Sequence, residues 1–420
     1  MQAPARNRGR RDGWGQDAGT RHGAGALIAL LRPLLRVVLN RIDAGLAQGA
    51  IELTLPAGGA RRLGGRAPGP VAVVELRSWH ALWRLATGGS VGWYEAWQAG
   101  EWASPDPVLL FELFVRNRVT LGGTGRAHGW TRVARRLWHW ARRNDRAGSR
   151  RNIAYHYDLG NDFYAPWLDA GMTYSSALFA PGVTALAEGQ AAKLAAVLAR
   201  TGTRAGDRIL EIGCGWGSFA ELAARGGRAV HGITLSTEQK AYVEARMAAA
   251  GLGGVEVSLT DYRDVAGSYD AVASIEMVEA VGEAYWPAYL ETIARVLKPG
   301  GRAAIQYIAI DDAIFEAYAA NVDFIQAYVF PGGMLISESR FRRIAEAHGL
   351  HWEDRVEFGA DYAETLRLWR EAFDAAVAAG RIPAVFDPHF IDLWRYYLMY
   401  CEGGFRGGGI WAAQVTLVKG

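Results

Sequence analysis

The sequence predicts an α/β protein, a mostly parallel sheet covered by helices on both faces, preceded by a smaller α+β unit. Three features carry that expectation. From Asn152 onward, short apolar strand patterns alternate with segments of helical spacing, as parallel sheets require. One such strand, Arg208 to Ile212, runs into Gly213-Cys214-Gly215-Trp216-Gly217, with a helical segment from Ser218 to Arg225 behind it. A helix from about Glu283 then ends at Lys298-Pro299-Gly300-Gly301, a strong stop signal. At 420 residues the chain has room for one large domain or two to three smaller ones, and its 50% hydrophobic and 21% charged residues suit a globular core.

Residues 1–23 are rich in Gly, Arg, Asp and Gln and are expected to form a disordered tail. Residues 24–48 read as one amphipathic helix on a protein or membrane surface. Arg32-Pro33 and the absence of a clear cleavage site argue against a signal peptide. No apolar run reaches the roughly 18–20 residues of a membrane-spanning helix. Residues 51–56 and 71–76 look like strands around a Gly/Pro/Arg-rich turn, and Ser78 to Leu85 looks helical. With the aromatic stretch around Trp93, Tyr94, Trp97 and Trp102, residues 24–118 make a small N-terminal domain.

A basic connector, 119–151, follows. From Arg116 to Arg151 many arginines face a single acid, Asp145, with Trp130, Trp138 and Trp140 among them. Arginine interleaved with tryptophan suits an anionic lipid surface. The same composition also suits a linker helix that packs its tryptophans on a domain. Nucleic acid is the least favoured partner, and the net charge of +3 is too small to name one.

The remainder, 152–420, reads as a helix over 185–201 and strands at 208–212, 230–235, 255–259, 269–275 and 303–308. A helical insert at 312–329, helices near 363–379 and 388–400, and a closing strand at 410–418 complete it. Ligands of such sheets bind at the carboxyl ends of the strands. Glycines at the turn after 212 would let a ligand lie against bare main chain, with the next helix pointing its N-terminus at it. The spacing is Gly-x-Gly-x-Gly rather than the dinucleotide Gly-x-Gly-x-x-Gly. Glu211, just before the turn, resembles the acidic start of the nucleotide loop in methyltransferases that use S-adenosylmethionine; a strand–helix turn with no ligand has the same pattern. Cys214 and Cys401 alone form no disulfide framework, which suggests a reducing compartment. The nine histidines lack metal-ligand spacing, and no catalytic metal is expected.

Several stretches together resemble one family. They are Tyr155-His156-Tyr157-Asp158-Leu159-Gly160-Asn161-Asp162-Phe163-Tyr164, Met172-Thr173-Tyr174-Ser175-Ser176, the glycine turn, and Thr234 to Gln239. Asp261-Tyr262-Arg263-Asp264, Phe358 to Tyr362, Tyr396 to Cys401 and Gly404-Phe405-Arg406 complete the set. In order and spacing they resemble the cyclopropane fatty acid synthases and mycolic acid cyclopropane synthases over 152–420. Gly89-Ser90-Val91-Gly92 extends the likeness weakly into the N-terminal domain. The resemblance implies a class I methyltransferase fold with a seven-stranded Rossmann-like sheet, helical lipid-binding insertions and bound S-adenosylmethionine. It places Gly213, Gly215 and Gly217 along the cofactor and Tyr174 and Ser175 near its amino-acid end. Thr234 and Gln239 fall at the ribose, Tyr262 on the adenine side, and Ile275 at a further cofactor position. Helix capping explains Thr234 and Gln239 equally well, and core packing explains Tyr262.

The family's substrate is a cis double bond in a phospholipid acyl chain, which calls for alignment and a dry apolar tunnel. After methyl transfer a carbocation must be stabilised and lose a proton. Proton loss from the new methyl group can close a cyclopropane; loss after a hydride shift leaves a methyl- or methylene-branched chain. In the family the base resembles a bicarbonate held by Glu, His and Tyr side chains and by backbone near a Cys. Those positions fall here on Glu279, Gln306, Tyr362 and Ser176, with Ile308 beside them, and Ala280 stands where a second His is usual. Losing both imidazoles leaves an anion harder to hold. That weighs against bicarbonate and a cyclopropane product while leaving methyl transfer in place. Glu276 is a further acid nearby, and His156 is the histidine best placed to help position substrate. The resulting expectation is a cytoplasmic enzyme, peripheral to the inner face of an anionic phospholipid membrane, with a homodimer suggested by analogy. Its alternatives are a non-catalytic lipid- or cofactor-binding relative and a methyltransferase for a small soluble acceptor.

Overall fold

The computed structural model describes residues 20–56, 58–122 and 159–420. Residues 1–19 of the expected tail, the connector from 123 to 151, and Tyr155 to Asp158 with His156 lie outside the described residues.

In the N-terminal unit the first helix, Thr20–Gly45, begins inside the expected tail and continues through Pro33. Leu35, Leu39, Ile42 and the following Leu46 are buried at helical spacing. The helix covers a four-stranded sheet of β1 (Ala50–Thr54), β2 (Ala60–Gly64), β3 (Val71–Leu76) and β4 (Trp102–Ala103), in the order β2-β1-β3-β4. β1 and β3 are parallel; β2 and β4 join as antiparallel edges. β2 lies where a turn was expected. It buries only Leu63 fully and carries Arg61 and Arg62, so it has little apolar alternation to reveal it. Helix His80–Gln98 absorbs the aromatic stretch and kinks at Gly89 (φ 59°, ψ −141°). A Cβ on Gly92 would sit 2.0 Å from the Arg84 carbonyl oxygen, which accounts for the glycines around Ser90 and Val91.

The larger unit is built on β5 (Arg208–Ile212), β6 (Ala229–Thr234), β7 (Val255–Leu259), β8 (Tyr269–Ile275), β9 (Leu297–Ile310), β10 (Leu350–Glu357) and β11 (Ile410–Lys419). Their order is β10-β11-β9-β8-β5-β6-β7, with β5 to β9 parallel and β11 antiparallel to both of its neighbours, β9 and β10. The expected helix does stop at Val296, preceded by a 3-10 turn over Glu283–Tyr285. β9 starts at once, however, and takes in Lys298-Pro299-Gly300-Gly301. β10 and the helix before it, Glu338–Ala347, were not expected. Only Leu350 of β10 is fully buried, so this edge strand lacks a strand-like apolar pattern.

The two units pack together through helices Pro107–Arg116 and Pro388–Arg406. Ring centroids of Tyr94 lie 4.7 Å from Phe324 and 5.0 Å from Tyr396, and Phe111 lies 5.2 Å from Tyr396. Arg118 pairs with Asp311 at 2.7 Å, and Leu121 is buried, so the residues up to Gly122 belong to this packing rather than to a free connector. A Cβ on Gly403 would lie 2.5 Å from the Phe111 Cβ. Gly403→Val is therefore expected to cost about 1–3 kcal/mol in urea denaturation through overpacking. Gly253→Ala, at a site with open space around it, should stay within about 0.5 kcal/mol of the parent.

Candidate active site

The carboxyl ends of β5, β6 and β8 open onto a cavity of about 160 Å³. Tyr174, Ser175, Gly213, Gly215, Thr234, Gln239, Tyr262 and Ile275 all line it, as the resemblance implied. The backbone turns at Gly215 with φ +50°, and a Cβ there would meet open space, so the main chain is bare towards the cavity. Gly217 differs: it is not among the lining residues, and a Cβ there would press on Val243 Cγ1 at 2.9 Å. Its smallness serves helix packing. Thr234 Oγ1 donates to Gln239 Oε1 at 2.7 Å, which fixes a hydroxyl and an amide side by side in the cavity wall. Asn161 Oδ1 accepts from the indole Nε1 of Trp216 at 2.6 Å, which ties the Asn161-Asp162-Phe163 signature to the glycine turn.

Two buried charges also face this cavity. Lys193 is fully buried, and its Nζ donates to Ser175 Oγ at 2.5 Å. Burial lowers its ammonium to about 8, against the pull of Glu276, Asp169 and Glu211. Burial pushes Glu211 well above the usual carboxylate range, opposed by Lys193 and Arg246, and its Oε2 has no protein partner. Bare backbone, paired hydroxyl and amide groups, an aromatic wall and an unsatisfied buried carboxylate fit S-adenosylmethionine, whose amino-acid end carries both an ammonium and a carboxylate.

Three of the groups expected to hold an anion, Ser176, Gln306 and Tyr362, do converge, but on a side chain of the protein. Ser176 N–H donates to Glu276 Oε1 at 2.9 Å, Gln306 Nε2 donates to the same oxygen at 2.8 Å, and the Tyr362 hydroxyl donates to Oε2 at 2.7 Å. Glu276 directly follows β8 and holds a left-handed φ of +50°, uncommon for a residue with a side chain. Burial raises its pKa; the Lys193 charge and the three hydrogen bonds oppose that shift. Burial and the Glu276 charge push Tyr362 upward, so the phenol stays protonated and donates.

Glu279 is turned elsewhere. It accepts from the N–H of Ile308, and its Oε2 is without a protein partner. Burial, then the neighbouring Glu276, push Glu279 up to about 8. Gln306 is held in register by its strand partner Gln414, whose Nε2 donates to Gln306 Oε1 at 3.0 Å. Lys193 and Gln414 were not anticipated. Glu276 was, but only as a bystander.

Beyond this cradle, Gln306, Ile308 and Ile310 share one face of β9 by strand alternation. Ile310 lines a second, strongly apolar cavity of about 330 Å³ between the two units, with Phe111, Tyr318, Ile325 and Tyr400. The Tyr362 ring stacks on Phe405 at 4.3 Å, so the phenol is held rigidly.

Residues 144–415 match the family described as mycolic acid cyclopropane synthetase. The tuberculostearic acid methyltransferase UfaA1 of Mycobacterium tuberculosis is 39% identical over 351 residues, covering 80% of each chain. The cyclopropane-fatty-acyl-phospholipid synthase of Escherichia coli K12 is 36% identical over 267 residues, 63% of this chain and 67% of the relative. The crystal structure of the mycolic acid cyclopropane synthase CmaA1, complexed with SAH and CTAB, superposes with a TM-score of 0.61 at 30% identity, over 64% of this chain and 98% of that one. The chain therefore belongs to the mycolic acid cyclopropane synthetase family and is an S-adenosylmethionine-dependent methyltransferase.

Proposed function

We propose that the enzyme methylates the cis double bond of unsaturated phospholipid acyl chains at an anionic membrane surface. In this reading Glu276 is the base, and the product is a methyl- or methylene-branched chain. The observation that carries the proposal is the Glu276 carboxylate, seated where the donors of Ser176, Gln306 and Tyr362 meet. A separate anion would compete with it for the same hydrogens.

The cofactor supplies an electrophilic methyl group. Gly213, Gly215, Thr234, Gln239, Tyr262 and Ile275 would hold its nucleoside part, and Tyr174, Ser175, Lys193 and Glu211 its amino-acid end. The apolar cavity beside β9 would hold the acyl chain away from water. Once the alkene has bonded to the methyl carbon and the carbon–sulfur bond has broken, its electron pair staying on sulfur as a neutral thioether, the neighbouring chain carbon is cationic, and a hydride shift moves that charge to the branched carbon. The ring of Tyr362 and the Glu276 charge would stabilise the cation. Glu276 would then accept a proton from a carbon next to it, and the electrons of that C–H bond form the new double bond. A fixed carboxylate with a raised pKa is a stronger proton acceptor than an exposed one.

Glu276→Gln keeps the side-chain shape and one acceptor oxygen but cannot take a proton. With labelled S-adenosylmethionine and vesicles of cis-unsaturated phosphatidylglycerol, its turnover should fall by about 100-fold or more. Calorimetry should still show S-adenosylhomocysteine binding. Normal turnover by this variant would remove Glu276 as the base.

Glu279 gives a pH prediction. Its carboxyl is raised to about 8 in the folded protein from the ordinary 4.5. The unfolded chain therefore ionises first, and stability falls as pH rises between those values. Glu279→Gln has no proton to lose. Its melting temperature should match the parent's below about pH 4 and exceed it increasingly towards pH 8. A constant offset across that range would mean that Glu279 is not held protonated.

A further inference from the structure

We infer that Lys193 is a positioning residue, the buried counter-charge that keeps the Glu276 carboxylate ionised and ready to accept a proton. The inference rests on the reading of Glu276 as the base. Lys193 sits on helix Leu186–Arg200, on the face that packs against the sheet, beside buried Leu194 and Val197. An apolar residue would serve packing there at no desolvation cost, whereas a fully buried ammonium is costly unless it is paired.

The pairing runs through two consecutive residues. Ser175 Oγ accepts from Lys193 Nζ at 2.5 Å, and the N–H of Ser176 donates to Glu276 Oε1 at 2.9 Å. Only one peptide unit thus separates the group that anchors the cation from the group that anchors the carboxylate. The same helix fixes that segment a second time: Gln190 Nε2 donates to the Ser175 carbonyl at 2.8 Å. Lys193, Glu211 and Glu276 all line one cavity.

Three carboxylates act on Lys193, from the end of β8 (Glu276), from the loop before Thr173 (Asp169) and from β5 (Glu211), with Glu276 the strongest. Asp169 is already occupied by the N–H groups of Gly171 and Thr173, and Glu211 has Arg246 as a second cation. Tyr362, Gln306 and Glu279 also bear on Glu276, but none of these is a cation. The largest influence that opposes burial at Glu276 is the Lys193 charge.

The test compares Lys193→Met, similar in length but neutral, with Lys193→Arg. The rate of methyl transfer to cis-unsaturated phosphatidylglycerol vesicles is followed against pH. Removing the cation should move the acid limb of the Lys193→Met profile up by about one pH unit or more, while Lys193→Arg keeps it near the parent position. A uniform loss of rate with an unmoved limb would overturn the inference and leave Lys193 a cofactor-binding or packing residue only.

If Lys193→Met does not fold, infrared difference spectra of the parent protein against Glu276→Gln decide the point. An ionised carboxylate band at pH 7 supports the inference, and a protonated carboxyl band overturns it. Normal turnover by Glu276→Gln would instead sink the reading of the base itself, so the two failures are distinguishable.

Discussion

The site depends on a carboxylate held by three donors from three separate parts of the chain. Ser176 comes from the segment before the sheet, Gln306 from β9 and Tyr362 from the helix Gly359–Ala378. Their meeting point is set by sheet order, because β8 lies between β5 and β9, and the residue after it emerges between the glycine turn and Gln306. Holding a non-glycine residue in a left-handed conformation costs roughly 1–2 kcal/mol. Hydrogen bonds to an ionised group contribute about 1.5–3 kcal/mol each, enough for the cradle to hold Glu276 in a strained backbone conformation. Strain of that kind, at the carboxyl end of a central strand, is where function concentrates.

The fold arranges two separate environments, one polar and one apolar. On one side are the bare glycine backbone and the polar side chains suited to a charged cofactor. On the other is an apolar cavity whose walls come from both units. The N-terminal unit is therefore more than an appendage. Its Phe111 and Leu121 complete a wall that the methyltransferase sheet alone leaves open, and the glycine at 403 permits the close helix contact.

Much of this was legible in the sequence because parallel strands buried on both faces are short, apolar and bounded by glycine. The boundaries of β5 and β8 coincide with the expected ones for that reason, and those of β7, an edge strand, because Val255 and Val257 alternate with polar residues. β2 and β10 were missed because they are edge strands with exposed polar residues, and pairing rather than pattern defines them. Most residues assigned to the cofactor do line one cavity. The misreading was at the acid. Glu276 and Glu279 lie three residues apart in one motif, and nothing in a linear pattern shows which turns toward Tyr362. A positive φ and a hydrogen bond from Tyr362, 86 residues away, decide it. Lys193 escaped notice because a lysine in an Ala/Leu-rich helix looks like a solvent-facing residue until its burial is seen.

On the reading of Glu276 as the base, no dissolved carboxylate is needed. The most direct measurement is methyl transfer to cis-unsaturated phospholipid vesicles in buffer stripped of carbon dioxide, with and without added bicarbonate. The account expects the same rate in both. A rate that collapses on stripping and returns with bicarbonate would show that an external anion does the work assigned to Glu276.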